Sequence, residues 1–300
     1  FDIFESADDA NKFLKKSSYP IVVKADGLAG GKGVYICEDK KQFIQALREV
    51  FDGKFGKANQ VLVEEFLEGE EMSFFIISDG KTYQKFGTAQ DHKRVLENDK
   101  GKNTGGMGAY SPSRLENKEL DKKIIDRIIE PTLKGLKELN TTFKGFLYVG
   151  LMIVKGEPFL IEYNVRMGDP ECQVILPRLQ TDILNIFNYA LKNKLNKIKI
   201  KWKNLKSMNI VICSKGYPKK YKNNLPIKNL DKISLSNHTS IIHAGTKIIN
   251  NQLVSNGGRV LNIVSVGKSF KKIRKNILKK IKKINFKQSF FRKDIGWRVI

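Results

Sequence analysis

Two spacings of apolar residues organise this chain. Phe43, Leu47 and Val50, with Ile44 and Phe51 beside them, recur at helical intervals and predict a helix over 39–51. Further helices are expected over 8–16, 120–139, 182–191 and 269–284. Short runs of β-branched and aromatic residues predict strands over 19–24, 34–37, 60–63, 72–78 and 81–87. The last two are joined by Asp79-Gly80, a hairpin dipeptide. A second hairpin is expected from 145–154 to 158–163 through Lys155-Gly156, followed by a polar loop over 164–173. A β-rich terminal region begins at 208–214, with strands near Ile241, Leu253 and 259–266. Residues 88–113 show no period. A structureless stretch of that length is either functional or disordered.

Most of the remaining information lies at 19–34, Tyr-Pro-Ile-Val-Val-Lys-Ala-Asp-Gly-Leu-Ala-Gly-Gly-Lys-Gly-Val. A β-rich run ends in Lys24, turns through a glycine-rich loop holding Lys32, and returns at once to a β-rich run. Glycines let backbone N–H groups approach a ligand closely, so the loop reads as a phosphate cover. Its spacing excludes a Walker loop, because Gly33 follows Lys32 where a hydroxyl is needed. A dinucleotide fingerprint opens a helix, and here a strand follows. A flap closing over a nucleotide remains, beside the plainer reading of a hairpin with surface lysines.

Glu162 and Asn164 lie two apart at a strand end and share a face. A carboxylate and an amide oxygen suit a hard cation, since Mg²⁺ takes one or two protein oxygens and fills its shell with phosphate and water. A polar strand end is the alternative. Arg166, Asp169 and Glu171 follow in the same loop. The acidic run 64–71 is either a solvated turn or a hinge that recognises a base edge and a ribose.

Composition sets the outer limits. With 300 residues, 41% of them hydrophobic, a sizeable core in about two or three domains is expected. No apolar run approaches a membrane span, and no signal-peptide pattern is visible. The chain begins at Phe1 rather than Met, as a fragment or processed product would. Cys37, Cys172 and Cys213 form no C-x-x-C pair, which fits a reducing, cytoplasmic compartment without structural zinc. The net charge of +24 concentrates in lysine runs rich in Asn and Ile. Codon drift accounts for that combination better than nucleic-acid binding, which favours arginine and exposed aromatics. Attraction of anionic metabolites is the third reading.

Nine segments together resemble the glycinamide ribonucleotide synthetases (phosphoribosylamine–glycine ligases) within the ATP-grasp superfamily. They are VKADGLAGGKGV at 23–34, EEFLEGEEMS at 64–73, QDHKR at 90–94, NTGGMGAYSP at 103–112, GFLYVGLM at 145–152, EYNVRMGDPE at 162–171, HAGT at 243–246, NGGRVL at 256–261 and RKDIGWR at 292–298. The resemblance implies an α/β fold: an ATP-grasp core of two α+β lobes gripping ATP, plus a small β-rich C-terminal domain. The expected divisions are a flap subdomain over 1–69, a central subdomain over 70–200 and the C-terminal domain over 201–300. The implied reaction joins 5-phosphoribosylamine to glycine with ATP, giving glycinamide ribonucleotide, ADP and phosphate.

By the same resemblance, Lys24, Gly30, Gly31, Lys32, Gly33, Glu65, Phe66, Leu67 and Glu71 bind ATP. Glu162 and Asn164 hold Mg²⁺ or Mn²⁺. Asp91, His92, Lys93, Arg94, Gly106, Met107, Gly108, Arg166, Asp169 and Arg259 surround the substrates, and Lys24, Arg166 and Asp169 act in catalysis. His92 is a candidate general base. A cytoplasmic monomer without membrane or nucleic-acid partners is expected. Two departures stand out. The family's N-terminal domain has no counterpart in these residues, and Gly150 stands where many ATP-grasp enzymes carry another metal carboxylate. The other readings are a different ATP-grasp carboxylate–amine ligase, and a basic RNA-binding module.

Overall fold

The computed structural model describes residues 1–14, 18–27, 33–233, 235 and 238–300. They form two compact units, Phe1–Glu68 and Gly69–Ile300.

The first unit contains strands β1 (Asp2–Phe4), β2 (Ile21–Ala25), β3 (Val34–Cys37) and β4 (Val61–Glu65), with helices α1 (Ala7–Phe13) and α2 (Lys40–Phe51). Its sheet runs β1-β4-β2-β3. Helix α2 starts where Asp39 caps it, accepting the Gln42 N–H at 2.8 Å. Its apolar stripe, Phe43, Ala46, Leu47 and Val50, packs on Ile21, Val23, Val61 and Val63 of the sheet. Side chains alternate along β2, so burying Val23 turns Lys24 to the other face.

The second unit is built on a nine-stranded sheet. Its strands are β5 (Glu70–Asp79), β6 (Tyr83–Asp91), β9 (Gly108–Ser111), β10 (Lys144–Val154), β11 (Glu157–Asn164), β12 (Lys206–Ser214), β13 (Thr239–His243), β16 (Arg259–Gly267) and β17 (Ser289–Phe290). The order is β11-β10-β5-β6-β9-β12-β16-β13, with β17 beside β12. Two small ribbons stand apart: β7 (Arg94–Leu96) with β8 (Lys100–Asn103), and β14 (Thr246–Ile249) with β15 (Gln252–Ser255). The antiparallel order makes an α+β arrangement of the expected α/β class.

Both faces of the sheet are covered, which explains the continuous apolar run Phe74–Ile77 in β5. Met72, Phe74 and Ile76 pack on Leu120, Ile124, Ile128 and Ile129 of one helical layer. Phe75 and Ile77 pack on Val174, Ile175, Ile186 and Ala190 of the other. The first layer is α3 (Lys118–Ile124), a π turn (Ile125–Ile129) and α4 (Glu130–Glu138). Pro131 has no N–H for the preceding turn, and the π turn absorbs that break in the single helix expected over 120–139. The second layer is α5 (Cys172–Ile175) and α6 (Ile183–Leu191). Further along the sheet, helix α7 (Phe270–Ile281) buries Phe270, Ile273, Ile277 and Ile281 against β12 and β16.

The region expected to be structureless, 88–113, contains the end of β6, the β7–β8 ribbon and β9. Its buried polar side chains erase the period. Tyr110 Oη donates to Gln90 Oε1 at 2.6 Å, Ser111 Oγ to the Thr88 carbonyl at 2.6 Å, and Ser113 Oγ to Gln90 Oε1 at 3.0 Å.

Phe43 is fully buried in the first unit. Phe43→Ala is expected to destabilise the protein by about 3–5 kcal/mol; chemical denaturation measures this, and a loss below about 1 kcal/mol would place Phe43 outside the core.

Candidate active site

Strand register builds the centre of the site. Gly150 of β10 pairs with Glu162 of β11 on one side and Ser73 of β5 on the other, and Ser73 pairs with Ala89 of β6. Tyr148 likewise pairs with Asn164 and Phe75. Residues two apart share a face. One face therefore carries Glu162 and Asn164 on β11, Tyr148 and Gly150 on β10, Glu71 and Ser73 on β5, and Asp91 at the end of β6. Glu71, Ser73, Lys93, Tyr148, Gly150 and Glu162 lie together around one closely packed spot on that face.

Charge is dense there. Lys93 is ion-paired with Glu71. Burial disfavours its ammonium, but Asp91 and Glu71 outweigh that and hold it charged well above the usual lysine range. Burial pushes the Asp91 carboxyl up, opposed by Lys93 and reinforced by Glu171 and Glu71. Burial raises Glu171 too, against the pull of Lys93. Ser73 Oγ bridges Glu171 Oε1 at 3.1 Å and Tyr148 Oη at 3.2 Å.

Glu162 and Asn164 emerge at the exposed end of this face, with Asn164 Nδ2 3.4 Å from Glu162 Oε1. Among the described residues, no group of three or more His, Cys, Asp or Glu side chains is placed to hold a metal. A hard cation bound there would keep positions open for phosphate and water. Two oxygen-bearing side chains fit such a cation. A Cβ at Gly150 would lie 3.0 Å from Glu162 Cγ. A side chain at this position would displace the carboxylate rather than add to it.

The turn over 104–108 and the loop over 166–171 meet through Arg259. Its Nη2 donates to Asp169 Oδ2 at 2.9 Å, and its Nη1 to the Asp169 carbonyl at 2.8 Å and the Gly105 carbonyl at 2.5 Å. Gly106 adopts φ +109°, and a Cβ there would meet Pro170 Cδ at 2.4 Å. Beside Asp169 opens a pocket of ≈ 520 Å³, walled by Met167, Leu176, Pro177 and Ile242.

Other expected residues occupy different roles. Met107 is fully buried, its sulfur 3.8 Å from Cys213 Sγ, and belongs to the core. Gly108 opens β9, where a Cβ would meet the Asn209 carbonyl at 2.5 Å. Arg94 donates to the Gly101 carbonyl at 2.9 Å, and Arg166 to the Met167 carbonyl at 2.9 Å. The His92 ring is buried: Nε2 accepts the Gly296 N–H at 2.9 Å and Nδ1 faces Asp99 at 3.4 Å. Both nitrogens are engaged within the protein, so the general-base reading of His92 has no free nitrogen to use.

In the first unit, Lys24 pairs with Glu64 at 2.6 Å. Gly33 is buried and its carbonyl accepts the Ala25 N–H at 2.8 Å, closing the base of the glycine loop. Gly30, Gly31 and Lys32 lie outside the described residues. Glu65 ends β4 exposed, Phe66 is 37% exposed and Leu67 half-buried.

Sequence reasoning missed Ser73, Tyr148, Asp99, Arg292 and Tyr217 as contributors. A serine inside the apolar run 72–77 was the one available signal. Asp99 accepts from Arg292 at 2.8 Å, Arg298 at 2.7 Å and Trp297 Nε1 at 3.1 Å, which ties the 292–298 motif to the 91–103 region.

This sheet, with its carboxylate–amide pair at an open edge, defines an ATP-grasp protein. A structural likeness of TM-score 0.70 to the biotin carboxylase domain of the Hydrogenobacter thermophilus 2-oxoglutarate carboxylase, at 16% identity, supports that fold. Residues 1–172 match the family model described as phosphoribosylglycinamide synthetase, ATP-grasp (A) domain, and residues 207–298 match its C domain. The chain belongs to the phosphoribosylglycinamide synthetase family. It is 42% identical to the phosphoribosylamine–glycine ligase of Brucella melitensis, over 99% of this chain and 70% of that protein. The chloroplastic ligase of Arabidopsis thaliana is also 42% identical, over 100% of this chain and 58% of that one. The Thermotoga maritima phosphoribosylamine–glycine ligase superposes with TM-score 0.87 at 31% identity, covering 98% of this chain and 73% of that one. The family resemblance read from the nine motifs is borne out.

Burial lowers the His92 pKa from its ordinary 6.5, with Asp99 opposing. Below that value the unfolded chain takes up a proton that the folded ring refuses, so the His92 contribution falls as pH falls. The stability advantage of the native chain over His92→Gln is expected to shrink between about pH 7 and about pH 5. Denaturation at both pH values checks this, and a constant advantage would show the ring is not held neutral.

Proposed function

We propose that this chain condenses glycine with 5-phosphoribosylamine at the expense of ATP, giving glycinamide ribonucleotide, ADP and phosphate, a step of purine synthesis. The observation that carries this reading is the agreement between family membership across nearly the whole chain and the single face that gathers Glu71, Lys93, Glu162 and Asn164.

A carboxylate is a poor acyl donor because oxide would have to leave. Moving the γ-phosphoryl group from ATP to an oxygen of the glycine carboxylate releases ADP and creates an acyl phosphate. The amine of phosphoribosylamine then attacks the acyl carbon, phosphate leaves, and the amine gives up a proton. Repulsion between the glycine carboxylate and the phosphates is the main barrier. Lys93, held charged by its neighbours, is placed to offset it. Ligases of this fold use ATP with a divalent cation. We place Mg²⁺ or Mn²⁺ on Glu162 and Asn164, where it supplies charge neutralisation and phosphate orientation when bound.

For the nucleotide, the reading assigns Lys24, Gly30–Gly33, Glu65, Phe66, Leu67 and Glu71. In the structure the Lys24 ammonium is engaged by Glu64, so a phosphate would share or take over that ion pair. Asp91, Lys93, Arg166, Asp169, Arg259 and the 104–108 turn would surround glycine and phosphoribosylamine, with Arg166 and Asp169 nearest the chemistry. His92, Arg94, Met107 and Gly108 support that surround from behind. In this reading the chain divides into a flap subdomain over 1–69, a central subdomain over 70–200 and a C-terminal domain over 201–300. The family models match 1–172 and 207–298, and a boundary near 200 is compatible with those ranges. We also propose a monomer located in the cytoplasm. Cys37, Cys172 and Cys213 are all free thiols, and among the described residues no helix is long and apolar enough to cross a membrane. The family itself is not confined to the cytoplasm, as the chloroplastic plant relative shows.

The direct test is ADP release that requires both glycine and phosphoribosylamine, paired with calorimetric titration of MgATP. Glu162→Ala is expected to lower kcat roughly a hundredfold and to weaken MgATP binding. A kcat within about twofold of the native value at saturating Mg²⁺ would remove the carboxylate from that role. Lys24→Ala is expected to raise KM for ATP about tenfold with smaller effects on the other substrates. An unchanged ATP dependence would remove Lys24 from the nucleotide site.

A further inference from the structure

Tyr217 belongs to none of the nine family segments, yet it reaches the turn over 104–108. Its Oη accepts the Gly105 N–H at 2.8 Å. Arg259 Nη1 donates to the carbonyl of the same residue. The N–H of Gly105 belongs to the peptide plane before its Cα and the carbonyl to the plane after it. Two side chains from the region beyond residue 207 thus fix both planes of one glycine. Glycine loses more conformational freedom on ordering than any other residue, so such a position stays defined only if something external holds it.

The surroundings are shaped for these two groups. A Cβ on Gly258 would lie 2.2 Å from Tyr217 Cδ2, so the phenol ring occupies space that only glycine leaves open. Ser214 pins the Gly257-Gly258 turn from the other side, its N–H donating to the Gly258 carbonyl and its hydroxyl to the Gly257 carbonyl, each at 2.8 Å. A Cβ on Gly105 would lie 3.0 Å from Arg259 Cζ. The same guanidinium forks Asp169, so the turn and the 166–171 loop are set by one cation.

We propose that Tyr217 is a positioning residue of the active site: with Arg259 it sets the peptide planes around Gly105 and holds the 104–108 turn in the shape that receives the non-nucleotide substrates. The proposal rests on the ligase reading above. It touches no ATP-binding group, so its loss should appear in one class of KM and not the other.

Tyr217→Phe keeps the ring and removes the acceptor. The expected result is amide deuterium exchange over residues 103–107 faster by about fivefold. KM for glycine or for phosphoribosylamine should rise by a similar factor, with KM for ATP within about twofold of native. Gly258→Ala, which displaces the ring, should produce the same pattern, and the double variant should add little to either single one. Unchanged exchange in Tyr217→Phe overturns the proposal whatever the activity. Faster exchange with all three KM values unchanged overturns the positioning role. A native chain that uses neither glycine nor phosphoribosylamine would instead overturn the ligase reading, while the exchange result stands by itself.

Discussion

The charge balance of the second unit turns on one crowded, partly buried group: three carboxylates, Glu71, Asp91 and Glu171, act on the single ammonium of Lys93. Charges removed from water persist only when paired or neutralised. The fold meets that condition with Lys93 at the centre, with raised proton affinity on Asp91 and Glu171, and with a serine hydroxyl bridging Glu171 and Tyr148. Glu162 stands at the exposed end of the same face, where its carboxylate can meet a divalent cation. The hydroxyl bridge to Glu171 also explains why β5, apolar over most of its length, interrupts that pattern with Ser73.

The register of three antiparallel strands converts this charge arrangement into a surface. Glu162, Gly150 and Ser73 stand in one row, and Asn164, Tyr148 and Phe75 in the next. A one-residue slip of β11 would turn both Glu162 and Asn164 to the opposite face. Tyr163 of β11, packed under the first helical layer between Glu162 and Asn164, opposes such a slip. Core burial and site geometry are therefore the same constraint seen from two faces of the sheet.

Much of this was legible in the sequence where a local signal existed. The stripe Phe43, Leu47 and Val50 marked α2, and Asp39 marked its start. The spacing of Glu162 and Asn164 disclosed a shared face because strand period is a property of neighbouring residues. Reading failed where the decisive partner is distant. Thr88–Ser113 looked structureless because Gln90, Ser111 and Ser113 find their partners inside the sheet instead of facing water. His92 read as a candidate general base beside Asp91 and Lys93, but its partners are Asp99 and Gly296, and the latter lies about two hundred residues away, a pairing no local pattern carries. Pro131 was visible, yet the π turn that accommodates it was not.

The C-terminal region then has a reason to be retained with the catalytic sheet. It contributes β12 and β16 to the same sheet as Glu162, and its loops face back toward the 91–108 region. Arg292 and Arg298 hold Asp99, Gly296 holds His92, and Arg259 and Tyr217 hold Gly105. Each contact ends on a backbone group, a carboxylate or a ring nitrogen of the 91–108 region rather than on an apolar side chain. Hydrogen bonds of this kind contribute modestly to net stability, but they restrict geometry strongly. Apolar packing by α7 supplies the adhesion of this region, while its polar groups select one conformation of the 91–108 loops. A loop rich in glycine at 105, 106 and 108 can make close backbone approaches only because that selection is imposed from outside it.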